Sequence, residues 1–183
     1  MRLFIAVPLP EGARADAATV LHRLQERNWP VRWVRDAGAH VTLKFFGETT
    51  PDRVDAIVEM LTYSVHGMKP IAMSLHGAGV FPSADKPRVI HLGLDAASDL
   101  ELLQDRLERG GAQLGYPPEG RVFRPHVTLG RVREGHRLPS GWQSELERVP
   151  PGPAFLGDRV VLYESTLAPD GPSYSVRHQA VLA

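Results

Sequence analysis

The sequence predicts an α+β fold in which antiparallel or mixed sheets carry packed helices. Short strand-like apolar runs alternate with amphipathic helical segments along the 183 residues. Several of these runs are joined by connections too short for the crossover that a parallel pair needs. The tetrapeptide His-Val-Thr-Leu also occurs twice, at 40–43 and at 126–129. No change in composition marks a boundary between the two halves, so we expect one domain over residues 1–183.

The first half of the chain predicts the order strand, helix, strand, strand, helix. A short apolar run followed by prolines indicates a buried strand, and apolar residues at helical spacing opposite charged ones indicate an amphipathic helix. The second helix begins at Thr50-Pro51-Asp52, which supplies a capping hydroxyl, a proline in the first turn and an acidic residue near the positive end of the dipole. The predicted elements are strands over 3–7, 31–34 and 40–46, a helix over 11–27 and a helix from Thr50.

The second half predicts a similar set of elements. Ser98 and Glu101 form a capping box at the start of a helix, and Gly110-Gly111 predicts its end. Pro125 precedes a strand, which is a position that tolerates proline. The remaining expectations are strands over 71–75, 88–94, 127–132, 160–167 and 174–182, a long loop over 134–154, and a turn over 169–172.

Composition limits the classes of function. The 21 basic and 21 acidic residues cancel, so a broad surface for polyanions is not expected, although a local arginine cluster is compatible with an RNA substrate. The absence of cysteine excludes disulfides, thiolate zinc sites and a cysteine nucleophile. No apolar segment is long enough to span a bilayer, and the N-terminus does not resemble a signal peptide, so we expect a cytoplasmic protein without membrane contact.

The repeated tetrapeptide contains the side chains that could take part in catalysis. Side chains at i and i+2 of a strand share a face, so each copy presents one imidazole and one hydroxyl while Val and Leu anchor the strand in the core. His40 and His126 would supply an acid and a base near neutral pH. Thr42 and Thr128 would donate hydrogen bonds to phosphate oxygens. Two such strands facing each other suit the cleavage of a phosphodiester.

Metal binding is the main rival for the paired histidines. The chain has no His-x-x-x-His or His-Glu-x-x-His spacing, no cysteine and no acidic cluster beside either motif. We therefore predict no metal site. Arg131 lies five residues after His126, which places it on the opposite face of a regular strand, although its long side chain at the strand end could reach back to a phosphate.

An ordered set of segments resembles a known family. These segments are Arg2 to Val7, His40 to Glu48, 79–82 with 87–90, Arg124 to Arg131, and 162–165 with 171–174. In these segments the chain is similar to the two-histidine (2H) phosphoesterases. Within them it most resembles the RNA 2′,3′-cyclic phosphodiesterases, historically called 2′-5′ RNA ligases.

The resemblance implies a bilobal domain with pseudo-two-fold symmetry. Two antiparallel sheets flanked by helices would enclose an active-site cleft between the lobes. The implied substrates are RNA 2′,3′-cyclic phosphate ends or small cyclic nucleotides, which water would open to a 2′-phosphate without a cofactor. His126 would act as the base and His40 as the acid, or the two roles could be exchanged.

The resemblance also implies further substrate contacts. Thr42 and Thr128 would hold the phosphate, and Arg131 would contact the substrate. Phe45 and Phe4 would offer a stacking surface for the terminal base. Strand parity places Phe45 on the face opposite His40, so its assignment depends on the resemblance alone.

Some alternatives remain open at this point. His91 stands where the resemblance predicts a tryptophan or another apolar residue, and we interpret it as a surface-facing strand residue rather than a catalytic one. The same site could perform the reverse reaction, joining a 5′-hydroxyl to a cyclic end. A second class of function is a non-catalytic module that binds RNA ends or nucleotides. We expect the protein to be a monomer.

Overall fold

The structure, a computed structural model, describes residues 1–35, 38–168 and 171–183. Within these residues, nine strands form one sheet in the order β7-β4-β5-β6-β3-β1-β8-β9, and β2 pairs with β6. Each of these strand pairs is antiparallel, as the short connections predicted. The strands are β1 (Arg2–Pro8), β2 (Val31–Trp33), β3 (His40–Glu48), β4 (Ile71–Ser83), β5 (Lys86–Ala96), β6 (His126–Val132), β7 (Ala154–Gly157), β8 (Arg159–Ala168) and β9 (Gly171–Val181).

Four α-helices accompany the sheet in the same described residues. They are α1 (Glu11–Gln25), α2 (Val54–Val65), which follows a 3-10 turn at Pro51–Arg53, α3 (Ser98–Gln113) and α4 (Trp142–Glu147). Apolar side chains of these helices reach the core: Ile57 and Leu61 of α2 and Leu103 of α3 are each 0% exposed. The combination of helices with an antiparallel sheet confirms the predicted α+β class.

Several predicted features were wrong. Ala97 is the N-cap of α3 and no side-chain hydrogen bond caps this helix, so the capping box predicted for Ser98 and Glu101 does not form. The strand predicted over 71–75 continues to Ser83. α3 continues through Gly110-Gly111 because both glycines face neighbouring side chains at close range. A Cβ at Gly110 would meet the side chain of Met60, and one at Gly111 would meet Lys44. The glycines therefore serve helix packing rather than termination. The predicted loop over 134–154 contains α4, whose Trp142 and Leu146 are buried. The predicted turn over 169–172 lies partly outside the described residues.

The two halves of the chain meet in the middle of the sheet. β3 pairs with β1 and β6 pairs with β5, and the two pairs are joined where Val41 faces Val127. The strands thus form one continuous sheet in the described residues, which corrects the expectation of two separate sheets. One buried apolar cluster extends through both halves, including Ile5, Leu43, Ile90 and Leu129.

Candidate functional site

The two His-Val-Thr-Leu segments lie side by side in the sheet. Val41 and Val127 are direct antiparallel partners and are buried in the core. Extending this register by one residue places His40 across from Thr128 and Thr42 across from His126. All four polar residues are partly exposed. The sequence motifs therefore converge on one surface of the sheet at the junction of the two halves.

A register shift occurs at the leucine of each motif. Ala6 pairs with Thr42 and Ile5 with Lys44, so β3 has an extra residue at Leu43. In β6, His91 pairs with Thr128 and Ile90 with Gly130, so the extra residue is Leu129. An extra residue of this kind reverses the side-chain alternation of the strand beyond it.

The reversed alternation brings two predicted contacts to the site. Phe4 of β1 is the direct partner of Phe45, and Val89 of β5 is the partner of Arg131. Phe45 therefore shares a face with His40 and Thr42, and Arg131 takes the corresponding place beyond Thr128. Parity in a regular strand had placed Phe45 and Arg131 on the opposite face, and that inference was wrong.

His40 is surrounded by aromatic rings. Its Nδ1–H donates to the carbonyl of Gly38. The ring centroids of Phe4 and Tyr174 lie 5.0 Å and 5.2 Å from that of His40, and that of Tyr163 lies 6.0 Å away. Phe4 is only 3% exposed, so it packs against His40 and does not offer the expected stacking surface to a base. Phe45 is 64% exposed, so its ring is accessible from solvent, and its role as a stacking surface stays a prediction.

His126 has a comparable anchor and a different set of neighbours. Its Nδ1–H donates to the carbonyl of Arg124 at 2.8 Å. The centroids of Phe81 and His91 lie 4.9 Å and 5.4 Å from that of His126. His91 stacks on Phe81 at 4.0 Å, and its Nδ1 is buried without a hydrogen-bond partner among the described residues. The expectation of a surface-facing His91 was therefore wrong: this imidazole packs inside the site.

The environment disfavours protonation of all three imidazoles. Burial, together with the smaller effect of the charge of a protonated His126, lowers the pKa of His40 to about 4. Burial and the charge of His126 also lower the pKa of His91 to about 4. The pKa of His126 is lowered by burial and by the positive charge of Arg131. At neutral pH each ring is neutral, and a carbonyl acceptor fixes the proton of His40 and His126 on Nδ1, leaving Nε2 with a lone pair.

Arg131 supplies the positive charge of the site. Its positive charge lowers the pKa of His126 and opposes the rise in the pKa of Tyr174 that burial causes. Burial raises the pKa of the Tyr174 and Tyr163 hydroxyls, which therefore stay neutral donors. No group of three or more His, Asp or Glu side chains placed to hold a metal ion occurs in the described part of the chain.

Buried contacts on the opposite face hold the motif strands in place. Lys44 follows the register shift and turns into the core, where its Nζ lies 2.8 Å from Glu108 of α3. The side chains are 1% and 14% exposed, so this ion pair is shielded from water. Beside β6, a Cβ at Gly130 would come within 2.6 Å of Val31 and 2.8 Å of Trp33. Only glycine allows β2 to lie this close to β6.

Several residues of the site were not predicted from the motifs. Phe81, Tyr163 and Tyr174 pack around the two histidines, although no spacing rule connects them with His40 or His126. They come from β4, β8 and β9, which are distant in sequence from the strands they contact. Their segments were part of the family resemblance, and that resemblance was the one sequence signal that could have identified them.

None of the helices in the described ranges is both long and apolar enough to cross a membrane. The expected cytoplasmic location remains a prediction.

Known proteins resemble this chain in sequence over most of its length. Residues 10–168 match the model of the 2′-5′ RNA ligase superfamily. A Thermotoga maritima protein named RNA 2′,3′-cyclic phosphodiesterase is 32% identical over 98% of this chain and 94% of its own length. A protein of the same name from Methanothermobacter thermautotrophicus is 32% identical over 96% of this chain and 95% of its own.

Solved structures resemble the fold over its whole length. The protein TT0787 of Thermus thermophilus covers 100% of this chain and 98% of its own, with a TM-score of 0.83 at 27% identity. E. coli LigT, in a crystal structure described as a complex with 3′-AMP, covers 99% of this chain and 97% of its own, with a TM-score of 0.75 at 24% identity. By the extent of the family match and the identity to full-length relatives, this chain belongs to the 2′-5′ RNA ligase superfamily.

Proposed function

We propose that this protein hydrolyses 2′,3′-cyclic phosphate ends of RNA, or small cyclic nucleotides, to 2′-phosphates. The observation that carries the proposal is the antiparallel pairing of two His-x-Thr strands about Val41 and Val127. This pairing gathers two imidazoles and two hydroxyls on one surface. The names of the curated relatives point to the same reaction. We further propose that residues 1–183 form one domain of two lobes related by a pseudo-two-fold axis, with the cleft at this junction.

The proposed reaction divides its proton transfers between the histidines. Nε2 of neutral His126 takes a proton from water as the water oxygen bonds to phosphorus. The bond from phosphorus to the 3′-oxygen breaks, and protonated His40 gives its proton to that oxygen. Thr42 and Thr128 donate to the non-bridging oxygens, and Arg131 neutralises their charge. The products are a 2′-phosphomonoester and a 3′-hydroxyl.

The opposite assignment, with His126 as the acid and His40 as the base, is supported by the charges within the protein. The positive charge of His126 lowers the pKa of His40, which favours His126 as the protonated member of the pair. A bound phosphate anion favours the protonated form of any imidazole beside it, which makes an acidic His40 accessible. A cyclic phosphate with sulfur in place of the 3′-oxygen separates the two assignments. Its leaving group needs no proton, so it should restore turnover only to the variant that lacks the acid.

The principal test measures turnover of a 2′,3′-cyclic mononucleotide. We expect His40→Ala and His126→Ala each to lower kcat by a factor of about 10² to 10⁴, the usual contribution of a general acid or base. His136→Ala is a matched control, because exposed His136 also donates from Nδ1 to the carbonyl two residues before it. Unchanged turnover in either motif variant would contradict the two-histidine mechanism.

A binding module is the alternative function, and the same assay addresses it. Saturable binding of the cyclic nucleotide without formation of the 2′-monophosphate would favour that alternative. Reverse ligation is a second reaction of the proposed site, in which a 5′-hydroxyl replaces water. It is measured by supplying an RNA with a 5′-hydroxyl together with the cyclic end and looking for a 2′-5′ linkage.

A further inference from the structure

A cavity of about 420 Å³ opens beside His40 at the Pro8 end of β1. Its wall includes Leu9, Arg14, Tyr163 and Tyr174. None of the residues assigned above to the phosphate, apart from His40, lines it. The cavity is large enough for a small organic group, since ligand sites commonly start at about 300 Å³.

The cavity is distinct from the surface that Phe45 presents. Pro8, which lines the cavity, is the strand partner of His40, whereas Phe4 is the partner of Phe45. The ring of Phe4 lies between the two, with its centroid 5.0 Å from that of His40 and 5.8 Å from that of Phe45. A nucleoside that stacks its base on Phe45 and holds its phosphate at His40 therefore uses residues of which only His40 lines the cavity.

The chemistry of the cavity wall suits a nucleotide. Arg14 and Arg35 provide guanidinium groups, which pair well with phosphate. Tyr163 and Tyr174 are half-buried and supply ring faces and neutral hydroxyls, and Ser173 adds another hydroxyl. No carboxylate lines the cavity among the residues that the structure describes. Cationic groups beside aromatic rings are the usual means of binding single-stranded RNA without reading its sequence.

The geometry of the ribose indicates which nucleotide of the RNA would reach the cavity. The 2′- and 3′-oxygens occupy one edge of the sugar, and the base and the 5′-carbon leave from the two carbons that flank this edge. With the 2′,3′ edge at the paired histidines and the base toward Phe45, the 5′-carbon points toward the Pro8 end of β1. The 3′-oxygen then lies on the His40 side, as protonation by His40 requires.

We propose that this cavity binds the nucleotide on the 5′ side of the one that carries the cyclic phosphate. The inference rests on the proposed hydrolysis of cyclic ends and adds to it a preference for an RNA chain over a mononucleotide. Arg14 contacts the phosphate between the last two nucleotides, and Tyr163 or Tyr174 contacts the penultimate sugar or base.

The test compares kcat/KM for 2′,3′-cyclic AMP with kcat/KM for ApA that ends in a 2′,3′-cyclic phosphate. We expect the wild type to prefer the dinucleotide by about tenfold, within the range of one stacked base. Arg14→Gln should remove most of this preference, and added salt should reduce it in the wild type. Arg109→Gln is the matched control, since it removes the same charge from an exposed arginine of α3. Ser173→Asp, which adds a negative charge to the cavity, should also lower the preference.

The possible failures are distinguishable. Equal efficiency on both substrates in the wild type, or a preference that survives both cavity variants, overturns the cavity assignment and leaves the proposed function intact. No turnover of either substrate contradicts the proposed function and the cavity assignment together. If a 5′-hydroxyl RNA inhibits the wild type but not Arg14→Gln, while no dinucleotide preference exists, the cavity receives the incoming strand of the ligation reaction instead, which also overturns the proposal.

Discussion

Acidification should destabilise the protein in part through His91, and His91→Phe should reduce this sensitivity. His91 stacks on Phe81 with its Nδ1 buried and unpaired among the described residues. Phenylalanine keeps the aromatic stack and cannot take a proton. The pKa of His91 is lowered from 6.5 to about 4, chiefly by burial. The unfolded chain therefore binds more protons than the folded one between these values, and stability falls as the pH drops from 6.5 toward 4.

The size of the effect follows from the interval of pH that is crossed. At pH 5 the solution is about 1.5 pH units below the ordinary pKa of histidine. Each of these units lowers the free energy of unfolding by about 1.4 kcal/mol. The full effect is therefore about 2 kcal/mol. Because His91 is partly exposed, we expect solvent screening to reduce it to about 1 kcal/mol. This is a measurable share of the stability of an ordinary domain.

Urea unfolding of wild type and His91→Phe at pH 7.5 and pH 5 provides the assay. The wild type should lose about 1 kcal/mol more than the variant between the two conditions. His40 and His126 titrate in both proteins, so the variant keeps their share of the acid sensitivity. His136→Phe, at an exposed position, controls for the loss of any imidazole. Equal acid-induced losses in wild type and His91→Phe would refute the assignment of His91 to the interior of the site.

Three further results are expected. Lys44→Met leaves the carboxylate of Glu108 without its cation and should lower the free energy of unfolding by about 3 kcal/mol in urea titrations; a change near zero would mean that this pair is solvated. Arg131→Gln should raise the pKa of His126, because the charge of Arg131 lowers it, and the acidic limb of the pH–rate profile should move to higher pH while kcat/KM falls about tenfold or more. Turnover should persist in EDTA, since no cluster of metal-ligating side chains occurs in the described residues; a strict requirement for added metal would count against the mechanism.

Local patterns predicted the elements of the fold well where the apolar spacing was regular. The strands at His40 and His126 and the helices that begin near Thr50 and Ser98 all occur in the structure. The prediction failed at Gly110-Gly111. Glycine often ends a helix, but α3 continues to Gln113. There the glycines are required because Met60 and Lys44 of other elements pack against them. A rule based on nearby sequence does not include contacts with residues far away in the chain.

Strand parity was reliable only up to the register shifts. It correctly paired each His with its Thr, since no extra residue separates them. Beyond Leu43 and Leu129 it put Phe45 and Arg131 on the wrong face, because a single extra residue reverses the alternation. The same shift directs Lys44 into the core, where Glu108 neutralises it.

By itself, the sequence determined the repeated motif, the chemistry of its side chains and the family to which they point. These depend on residue identity and on spacing within one strand. The tertiary structure alone decided that the two motifs are neighbours about Val41 and Val127, and that His91 packs against His126. It also decided that a cavity with arginines and tyrosines continues past His40. Contacts of this kind join strands far apart in the chain, and pairing, register and burial set them only when the whole sheet has formed.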